Sequence, residues 1–494
     1  MFAVNPALSG LLNRTSSILI QENCQAYVVG GFVRDRLLNR ETEDIDIAVN
    51  GDALIMAQKI AGAIDGRYVL LDETNKVTRV VVIVDEKPYY LDFISFVGII
   101  EDDLARRDFT IDAMAVELRG LLSGLFQVID PFAGGSDLKT KLVRAVSPLI
   151  FQNDAARLLR AARLAAELGF KIEPTTERLL QQNCQLAQHV PGERVREELL
   201  RLLAVRGAAD WMRYLDWLGL LLVIIPELGV MKDVEQPKEH CWNVFDHSLE
   251  TVAAVELMLR ENNWKHVTSD ILSVTLWSDE IKQYFDEEVS TGSNRRQLLR
   301  LAGLLHDIAK PSTKTVEETG KVRFLGHGKD GATIAKEILQ RLRFSSKEIN
   351  LVENLVYHHL RPAQMSNEGL PSSRAIYRYF RDTEGAGLDI LFLALADYLA
   401  THGPRLDVVE WQQHNQLISY VYHEHLKQQE KTLPVKLIDG HDIIDALGLS
   451  PGPVIGKLLT EVHEAQAAGE VNSRDEAISL VIKLMENRHC GVVC

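Results

Sequence analysis

Two aspartates that could hold a metal ion stand in an apolar segment early in the chain. The segment DIDIAV at 44–49 follows a double glycine, Gly30-Gly31, that separates a β-rich run from a helical stretch. Because side chains alternate along a strand, Asp44 and Asp46 point to one face while the isoleucines point to the core. Adjacent carboxylates repel each other unless a cation lies between them, and oxygen ligands suit Mg²⁺. A solvated strand face is the alternative, but the glycine turn and Arg34 favour a metal site.

Charged residues recur at every third position where a later helical stretch begins. They are Asp154, Arg157, Arg160 and Arg163. Neighbours three residues apart on a helix touch, although this row winds about half way round the helix from end to end. Taken alone, the row is typical of a helix cap at Asn153 or Asp154 followed by a solvated basic face.

A third pattern, in the second half of the chain, has the residue types of a metal centre. His306-Asp307 lies in an apolar helical stretch, between a distant His247 and a distant Asp397, with further histidines at His327 and 358–359. This order resembles the HD domain. Imidazole with carboxylate suits Mn, Fe, Co, Ni or Zn ions, which activate water for phosphoester hydrolysis. We therefore predict a metal site formed by His247, His306, Asp307 and Asp397, the alternative being a preserved fold without the chemistry.

The motifs of the first half resemble one family. GGxxRD at 30–35, DxD at 44–46 and RRDFTIDA at 106–113 resemble the head of the class II tRNA nucleotidyltransferase and poly(A) polymerase family. Further matches follow in order at 130–138, 154–157 and 193–199. The resemblance implies that Asp44 and Asp46 hold two Mg²⁺ ions, which activate an RNA 3′-hydroxyl and clamp a triphosphate.

The same resemblance suggests roles for other head residues. A third carboxylate is usual in such sites, and Asp92 in the segment YYLDFISF is the candidate, with a plain strand-edge acid as the alternative. Arg34 and Arg107 suit the triphosphate because guanidinium groups pair with phosphate oxygens. Gly30 and Gly31 would let the backbone approach the nucleotide closely. For Arg107, a salt bridge to neighbouring Asp108 is the alternative.

In the family pattern, Asp154 and Arg157 read the incoming base. A carboxylate accepts from the exocyclic amine of C or A, and arginine donates to the adjacent ring nitrogen or carbonyl. U and G present a carbonyl in place of the amine, so one Asp/Arg pair selects C and A. Arg160 and Arg163 would lie further along, towards phosphates. The family usually has Glu before this Asp, whereas here Asn153 supplies an amide without charge.

Composition limits the classes of protein that fit. The 494 residues are 46% hydrophobic and 25% charged, which indicates a globular chain of several domains. The net charge of −15 excludes a uniformly cationic surface, so RNA must bind through local patches such as the modest basic excess at 157–206. The five cysteines contain no CxxC, and the N-terminus lacks a signal-peptide pattern. We therefore expect reduced thiols and a cytoplasmic location.

The pattern of elements predicts an α+β chain. Short β-rich runs alternate with helical stretches up to about residue 145, and later segments read mostly as helices. We expect an N-terminal nucleotidyltransferase α/β head with a mixed sheet, followed by mostly α-helical neck, HD and tail domains. The expected bounds are 1–148 for the head, 149–230 for the neck, 231–428 for the HD domain and 429–494 for the tail. A polar insert around 278–296 is expected to be a loop.

The resemblance implies a template-independent tRNA nucleotidyltransferase that adds CCA, or its CC or A part, to tRNA 3′ ends. The expected partners are tRNA, ATP and CTP, with no membrane. The HD site would add a phosphohydrolase activity, and the tail at 436–487 resembles a region near the tRNA elbow. The alternatives are a poly(A) polymerase and an HD phosphohydrolase whose head only binds nucleotide. CCA, CC-only, A-only and poly(A) addition differ in loop motions and product geometry, so the motif residues do not separate them. The intact DxD argues against a head that only binds nucleotide.

Overall fold

A computed structural model describes residues 6–74, 76–123, 127–365, 369–430 and 436–490 of the protein. The chain divides into two compact units, one of Met1–Leu202 with Tyr214–Ile224 and the other of Leu203–Arg213 with Ile225–Cys494. Within the described ranges, no helix is long and apolar enough to cross a membrane. The predicted α+β class is confirmed.

The first unit contains a mixed sheet. Its strands in the described residues are β1 (Ala26–Val29), β2 (Asp44–Val49), β3 (Arg67–Asp72), β4 (Val77–Val84), β5 (Lys87–Ser95), β6 (Ala115–Glu117) and β7 (Val128–Ile129). Their order is β3-β4-β5-β2-β1-β6-β7, and β2 runs parallel to β5 while the other neighbours are antiparallel. Ile45 and Ile47 are fully buried, whereas Asp44 is exposed and Asp46 partly buried. The predicted alternation along β2 is therefore confirmed.

Helices pack on this sheet and follow it in the chain. They are α1 (Pro6–Gln21), α2 (Gly30–Leu37), α3 (Ala53–Ile64), α4 (Ile100–Leu104), α5 (Leu118–Ser123), α6 (Gly134–Thr140), α7 (Ile150–Asn153), α8 (Arg157–Leu168), α9 (Pro174–Asn183), α10 (Gly192–Ala204), α11 (Ala208–Trp217) and α12 (Leu221–Ile224), with a short parallel pair β8 (Leu142–Val143) and β9 (Lys171–Ile172). Helix α8 buries an apolar stripe that includes Leu158 and Leu159, and it ends at Gly169 in the left-handed conformation. That burial fixes the helix in place.

The motif DPFAGGSDL at 130–138 serves the fold. The Asp130 carboxylate accepts the N–H groups of Gly134 at 2.7 Å and Gly135 at 2.9 Å. Asp137 accepts the Thr110 hydroxyl at 2.7 Å. A Cβ at Gly134 would overlap the Thr110 carbonyl, so this turn needs glycine to approach so closely. The motif thus fixes α6 against the segment that follows Arg107.

The second unit is mainly helical. Its elements in the described residues are α13 (Val244–Met258), α14 (Asp279–Asp286), β10 (Glu288–Ser290), β11 (Ser293–Asn294), α15 (Arg295–Leu305), α16 (Lys310–Thr313), β12 (Lys314–Val316), β13 (Val322–Phe324), α17 (His327–Arg341), α18 (Ser346–His358), α19 (Arg361–Gln364), α20 (Ser373–Asp382), α21 (Gly387–His402), α22 (Val408–Glu430), α23 (Gly440–Leu447), α24 (Pro453–Ala467) and α25 (Arg474–Cys490). Helix α13 packs on α15 and α21, and α17 packs on α18. The last three helices share a core around Ile443, Leu458 and Val481.

The insert around 278–296 is not the loop expected from its polar sequence. Ser278 caps α14 by accepting the Ile281 N–H, and the hairpin β10-β11 follows. Ile281 and Phe285, one turn apart, are both buried. Their i, i+4 spacing is the apolar stripe of an amphipathic helix, which the surrounding charges obscured in the sequence.

Candidate active site and metal centre

Strand pairing brings the head carboxylates to one face of the sheet. Asp46 on β2 lies opposite Asp92 on β5, and Asp92 lies opposite Arg79 on β4. The Arg79 guanidinium donates to both oxygens of Asp92, at 2.7 and 2.8 Å, and its Nη2 lies 4.0 Å from Asp44 Oδ1. All three predicted carboxylates therefore share this face, with Arg79 beside them. Sequence reasoning missed Arg79, whose place depends on strand register.

The surroundings of Asp46 fit a divalent cation with oxygen ligands. Burial raises the pKa of Asp46 to about 6, Arg107 opposes this rise, and neighbouring Asp92 adds to it. Carboxylates that share a site hold a proton in this way when no cation neutralises them. In the described part of the chain, these aspartates do not form a group of three ligand atoms within 4.8 Å, and Asp92 is engaged by Arg79. Asp44 and Asp46 offer oxygen ligands on one face and so fit a divalent cation. Asp92 would join them only after its ion pair with Arg79 opens.

One cavity of about 760 Å³ in the first unit joins Asp46 and Asp92, but not Asp44, to charged residues at the start of α8. The predicted residues that line it are Asp46, Asp92, Arg107, Asp154, Arg157 and Arg160. The remaining described lining residues include Lys76, Arg106 and Arg194. Arginines predicted to bind phosphate and the carboxylate predicted to read the base thus face the same space.

Arg107 and Arg160, which line the larger cavity, are each paired with an acid. Arg107 pairs with Asp103, its Nη2 lying 3.2 Å from Oδ2. The pairing with Asp108 weighed from the sequence does not form in this way, because Asp108 pairs with Arg160 at 2.7 Å. Both guanidinium groups therefore line the cavity in fixed positions.

Asp154 and Arg157 are held by different partners. The Asp154 carboxylate accepts two hydrogen bonds from Arg194, each at 2.9 Å, and one from the Ala156 N–H at 3.1 Å. Arg157 donates to the carbonyl oxygen of Arg106 at 3.0 Å. Asn153 is exposed at the end of α7. The helix cap considered from the sequence does not form, because Ala156 precedes α8 and no side chain caps that helix. Asp154 instead lines the larger cavity.

Two predicted phosphate ligands occupy other positions. Arg34 pairs with Asp112 at 2.7 Å. Arg163 is only 3% exposed and pairs with Glu198 at 2.5 Å and with Glu167 at 2.6 Å. Among the described residues that line the larger cavity, neither arginine is found. A smaller cavity of about 280 Å³ is lined instead by Gly31, Arg34, Asp44, Asp46 and Arg163, with others.

The four predicted HD residues meet in the second unit. His247 Nε2 lies 2.9 Å from Asp397 Oδ1, and His306 Nε2 lies 3.2 Å from Asp307 Oδ2. The two histidine Nε2 atoms are 3.3 Å apart. Three of the four side chains are almost fully buried, and Asp397 is 24% exposed.

Two further histidines extend this centre. His327 Nε2 and His359 Nε2 are 3.2 Å apart, and they lie 3.4 and 3.9 Å from Asp307 Oδ1. Asp307 thus belongs to two groups of three ligands, each with ligand atoms within 4.8 Å of one another. The pair 358–359 was visible in the sequence, but only the structure shows that His359 is buried while His358 is partly exposed.

Backbone carbonyls fix the tautomers of three of these histidines. The Nδ1 atoms of His306, His327 and His359 lie 2.9, 2.6 and 2.7 Å from carbonyl oxygens. Because a carbonyl only accepts, each Nδ1 carries a proton, which leaves Nε2 as the metal-binding atom of the neutral ring. Burial works to lower the pKa of His306, but Asp307 and Asp397 outweigh it and raise the pKa to about 10. A proton on His306 therefore offsets the negative charge of Asp307 and Asp397, which a bound metal ion would otherwise offset. The imidazole and carboxylate donors fit a transition metal.

Comparison with protein families matches four parts of the chain. Residues 26–144 match the poly A polymerase head domain, and 244–402 match the HD domain. Residues 169–231 match a probable RNA- and SrmB-binding site of polymerase A, and 328–482 match a putative tRNA nucleotidyltransferase domain 2. The resemblance read from the motifs is thereby confirmed.

Individual proteins resemble the chain over most of its length. A CC-adding tRNA nucleotidyltransferase of Thermus thermophilus is 32% identical over 92% of this chain and 93% of its own. An A-adding tRNA nucleotidyltransferase of Deinococcus radiodurans is 31% identical over 93% of this chain and 96% of its own. The solved structure of a Thermotoga maritima CCA-adding enzyme with tRNA matches at a TM-score of 0.62 and 22% identity, covering 98% and 96% of the two chains. The chain therefore belongs to the tRNA nucleotidyltransferase family.

Proposed function

We propose that the protein is a template-independent tRNA nucleotidyltransferase that adds CCA, or its CC or A part, to tRNA 3′ ends from CTP and ATP. The cavity that is lined by Asp46, Asp92 and Arg107 and also by Asp154 and Arg157 carries this proposal. It lets the phosphates and the base of one nucleotide be held at once. The similar identities to a CC-adding and an A-adding relative mean that each nucleotide must be assayed separately.

The head residues would bind the metal ions and the triphosphate. Asp44 and Asp46, with Asp92 once Arg79 releases it, would hold two Mg²⁺ ions. Such ions supply activation of the RNA 3′-hydroxyl and neutralisation of phosphate charge. The 3′ oxygen bonds to the α-phosphorus, pyrophosphate leaves and the hydroxyl proton passes to solvent. Arg107 and Arg160 hold triphosphate oxygens through their guanidinium groups.

Asp154, just before α8, and Arg157, the first residue of α8, would select the base. Asp154 accepts from the amine of C or A, and Arg157 donates to the adjacent ring atom. Arg34 lines the smaller cavity together with Gly31, near the start of α2, and would contact a phosphate there. For Arg163, the ion pairs with Glu198 and Glu167 support a role in holding α8 rather than in binding phosphate.

We propose four domains: the head at 1–148, the neck at 149–230, the HD domain at 231–428 and the tail at 429–494. The tail would contact tRNA near its elbow. A cytoplasmic location accords with the free thiols of Cys24, Cys184 and Cys241.

The direct test is incubation of tRNA lacking its 3′ end with each NTP separately, resolved at single-nucleotide length. Asp44→Ala and Asp46→Ala should abolish addition while fold and tRNA binding persist, because the metal ligands are lost. Glu41→Ala, an exposed acid just before β2, is the matched control. Addition by either aspartate variant above a few per cent of the wild-type rate would contradict the metal assignment. Long A tails on RNA of any kind would favour a poly(A) polymerase.

A second activity is favoured by the shared position of Asp307. Two ligand triads that meet at one carboxylate suit a pair of metal ions, of Mn, Fe, Co, Ni or Zn type, which would supply a nucleophilic water. Lys310 Nζ lies 2.6 Å from Asp307 Oδ2 and brings a cation to the same place, where a phosphate oxygen would be held. We propose phosphohydrolase chemistry on phosphate esters such as those at RNA 3′ ends.

A further inference from the structure

The Asp154 carboxylate is gripped by an arginine from another helix. Arg194 lies on α10, and its Nη1 and Nη2 atoms donate to Oδ1 and Oδ2 of Asp154, both at 2.9 Å. Such a bidentate contact fixes the plane of the carboxylate as well as its charge. Arg194 itself lines the larger cavity, beside Arg157. The base-selecting carboxylate is therefore oriented by a side chain outside α8.

The acceptor positions of Asp154 can be counted. An ionised carboxylate offers about four lone-pair positions. Arg194 fills two of them, and the Ala156 N–H fills a third, on Oδ1. Arg157 Nε is 4.0 Å from Oδ2, too far for a hydrogen bond. One position on Oδ2 is thus left by these contacts for a base amine.

We infer that Arg194 is a positioning residue that sets nucleotide choice, because it holds Asp154 so that a single acceptor position on Oδ2 meets the base. This inference rests on the proposed base-reading role of Asp154. A C or A amine satisfies that position. A U or G carbonyl would oppose it oxygen to oxygen, and the fixed carboxylate cannot turn away to relieve the repulsion. Without Arg194 the carboxylate can rotate, and rejection of U and G weakens.

The pair is placed to act on selectivity more than on stability. Arg194 is 50% exposed and Asp154 is 31% exposed. Exposed ion pairs of this kind contribute little to the free energy of unfolding. Burial works to raise the pKa of Asp154, but the Arg194 guanidinium outweighs it and lowers the pKa, which keeps the carboxylate ionised. Loss of Arg194 should therefore leave the fold intact.

The test compares kcat/KM for the four NTPs on tRNA lacking its 3′ end. Arg194→Ala should lower the CTP/UTP ratio by about ten-fold, the effect of one mispaired contact. Arg194→Lys keeps the charge but not the two-point contact, so its ratio should fall between those of wild type and Arg194→Ala. Arg178→Ala removes an exposed arginine of α9 that donates to the carbonyl of Pro174, and its ratio should equal that of wild type.

The outcomes separate this inference from the proposed function. If Asp154→Ala lowers the CTP/UTP ratio and the Arg194 variants do not, the inference on Arg194 is wrong while the role of Asp154 stands. If Asp154→Ala itself keeps the wild-type CTP/UTP ratio, the proposed base-reading role of Asp154 is wrong. In the Asp154→Ala background, Arg194→Ala should change the ratio no further. A uniform loss with all four NTPs would instead make Arg194 a general phosphate contact and would overturn the inference.

Discussion

At the scale of single residues, Gly30 lies against both Asp46 and Arg107, a predicted metal ligand and a predicted phosphate ligand. It begins α2 with a φ of +67°, in the left-handed region that favours glycine. A Cβ at this position would lie 2.7 Å from Arg107 Nη1 and 2.9 Å from Asp46 Oδ2. The absence of a side chain thus lets a predicted metal ligand and a predicted phosphate ligand approach the same backbone.

Gly30→Ala should therefore damage catalysis more than folding. The left-handed conformation costs an alanine about 1–2 kcal/mol of stability. Displacement of Asp46 and Arg107 should lower kcat/KM for nucleotide addition by about a hundred-fold. The control is Gly62→Ala in α3, where an added Cβ meets nothing within 4 Å. Wild-type kcat/KM in Gly30→Ala would show that this close approach has no role.

At the scale of elements, α8 is tied to α10 through Arg163. Its guanidinium pairs with Glu198 of α10 and with Glu167 of α8, and the arginine is nearly inaccessible to solvent. Removing one partner of a buried ion pair leaves an uncompensated charge. The tie between these helices sets where Asp154 and Arg157 stand.

Arg163→Met should lower the free energy of unfolding by about 3 kcal/mol, because Glu198 loses its partner. The CTP/UTP ratio of kcat/KM should stay unchanged if Arg163 only holds the helix. Urea denaturation and the four-NTP assay measure the two quantities. Adding Glu198→Gln should restore part of the stability. A rise in KM for every NTP, with an unchanged free energy of unfolding, would show that Arg163 binds phosphate.

A pH-dependent contact joins α20 and α22. The His425 ring stacks on Phe380 with centroids 3.5 Å apart, and burial lowers the pKa of His425 to about 4. Between pH 6.5 and 4 the unfolded chain binds a proton at this histidine while the folded chain does not. Stability is therefore lost as the pH falls through this window.

This histidine should account for at most about 2 kcal/mol of the stability lost between pH 7 and pH 5. His425→Phe keeps a stacked ring without a titrating group, so its loss over the same range should be smaller by that amount. Urea denaturation of both proteins at the two pH values gives the comparison. Equal losses in wild type and variant would place the titration elsewhere.

At the scale of the whole molecule, the two centres belong to different compact units and share no residue. Asp44, Asp46 and Asp92 lie in the first unit, and the HD ligands lie in the second. Each centre has its own ligand chemistry, with oxygen donors in the head and imidazole with carboxylate in the HD domain. Their activities should therefore separate by mutation.

His306→Ala and Asp307→Ala should leave nucleotide addition unchanged and abolish hydrolysis of phosphomonoesters or 2′,3′-cyclic phosphates in Mn²⁺, Ni²⁺ or Co²⁺. Asp46→Ala should show the reverse. His358→Ala is the control, since His358 neighbours the ligand His359 but is partly exposed. Wild-type protein that hydrolyses neither substrate with any of these ions would show that the HD domain is structural.

Local chemistry was readable from the sequence alone. The twofold repeat of a strand placed Asp44 and Asp46 on one face, and the order of His247, His306-Asp307 and Asp397 indicated the HD ligands. The first inference follows from backbone geometry, because side-chain direction repeats every second residue along a strand. The second came from the resemblance to the HD domain, since its residues lie on separate elements. The motif order also identified the family before any contact was known.

Only the tertiary structure decided which side chains meet across elements. It paired Arg107 with Asp103 rather than Asp108, placed Arg79 on Asp92 and Arg194 on Asp154, and chose His359 over His358. Each choice depends on strand register or helix packing between segments distant in sequence, so residue spacing carries no signal for it. An arginine can pair with any acid that packing brings near, and distance alone selects among them.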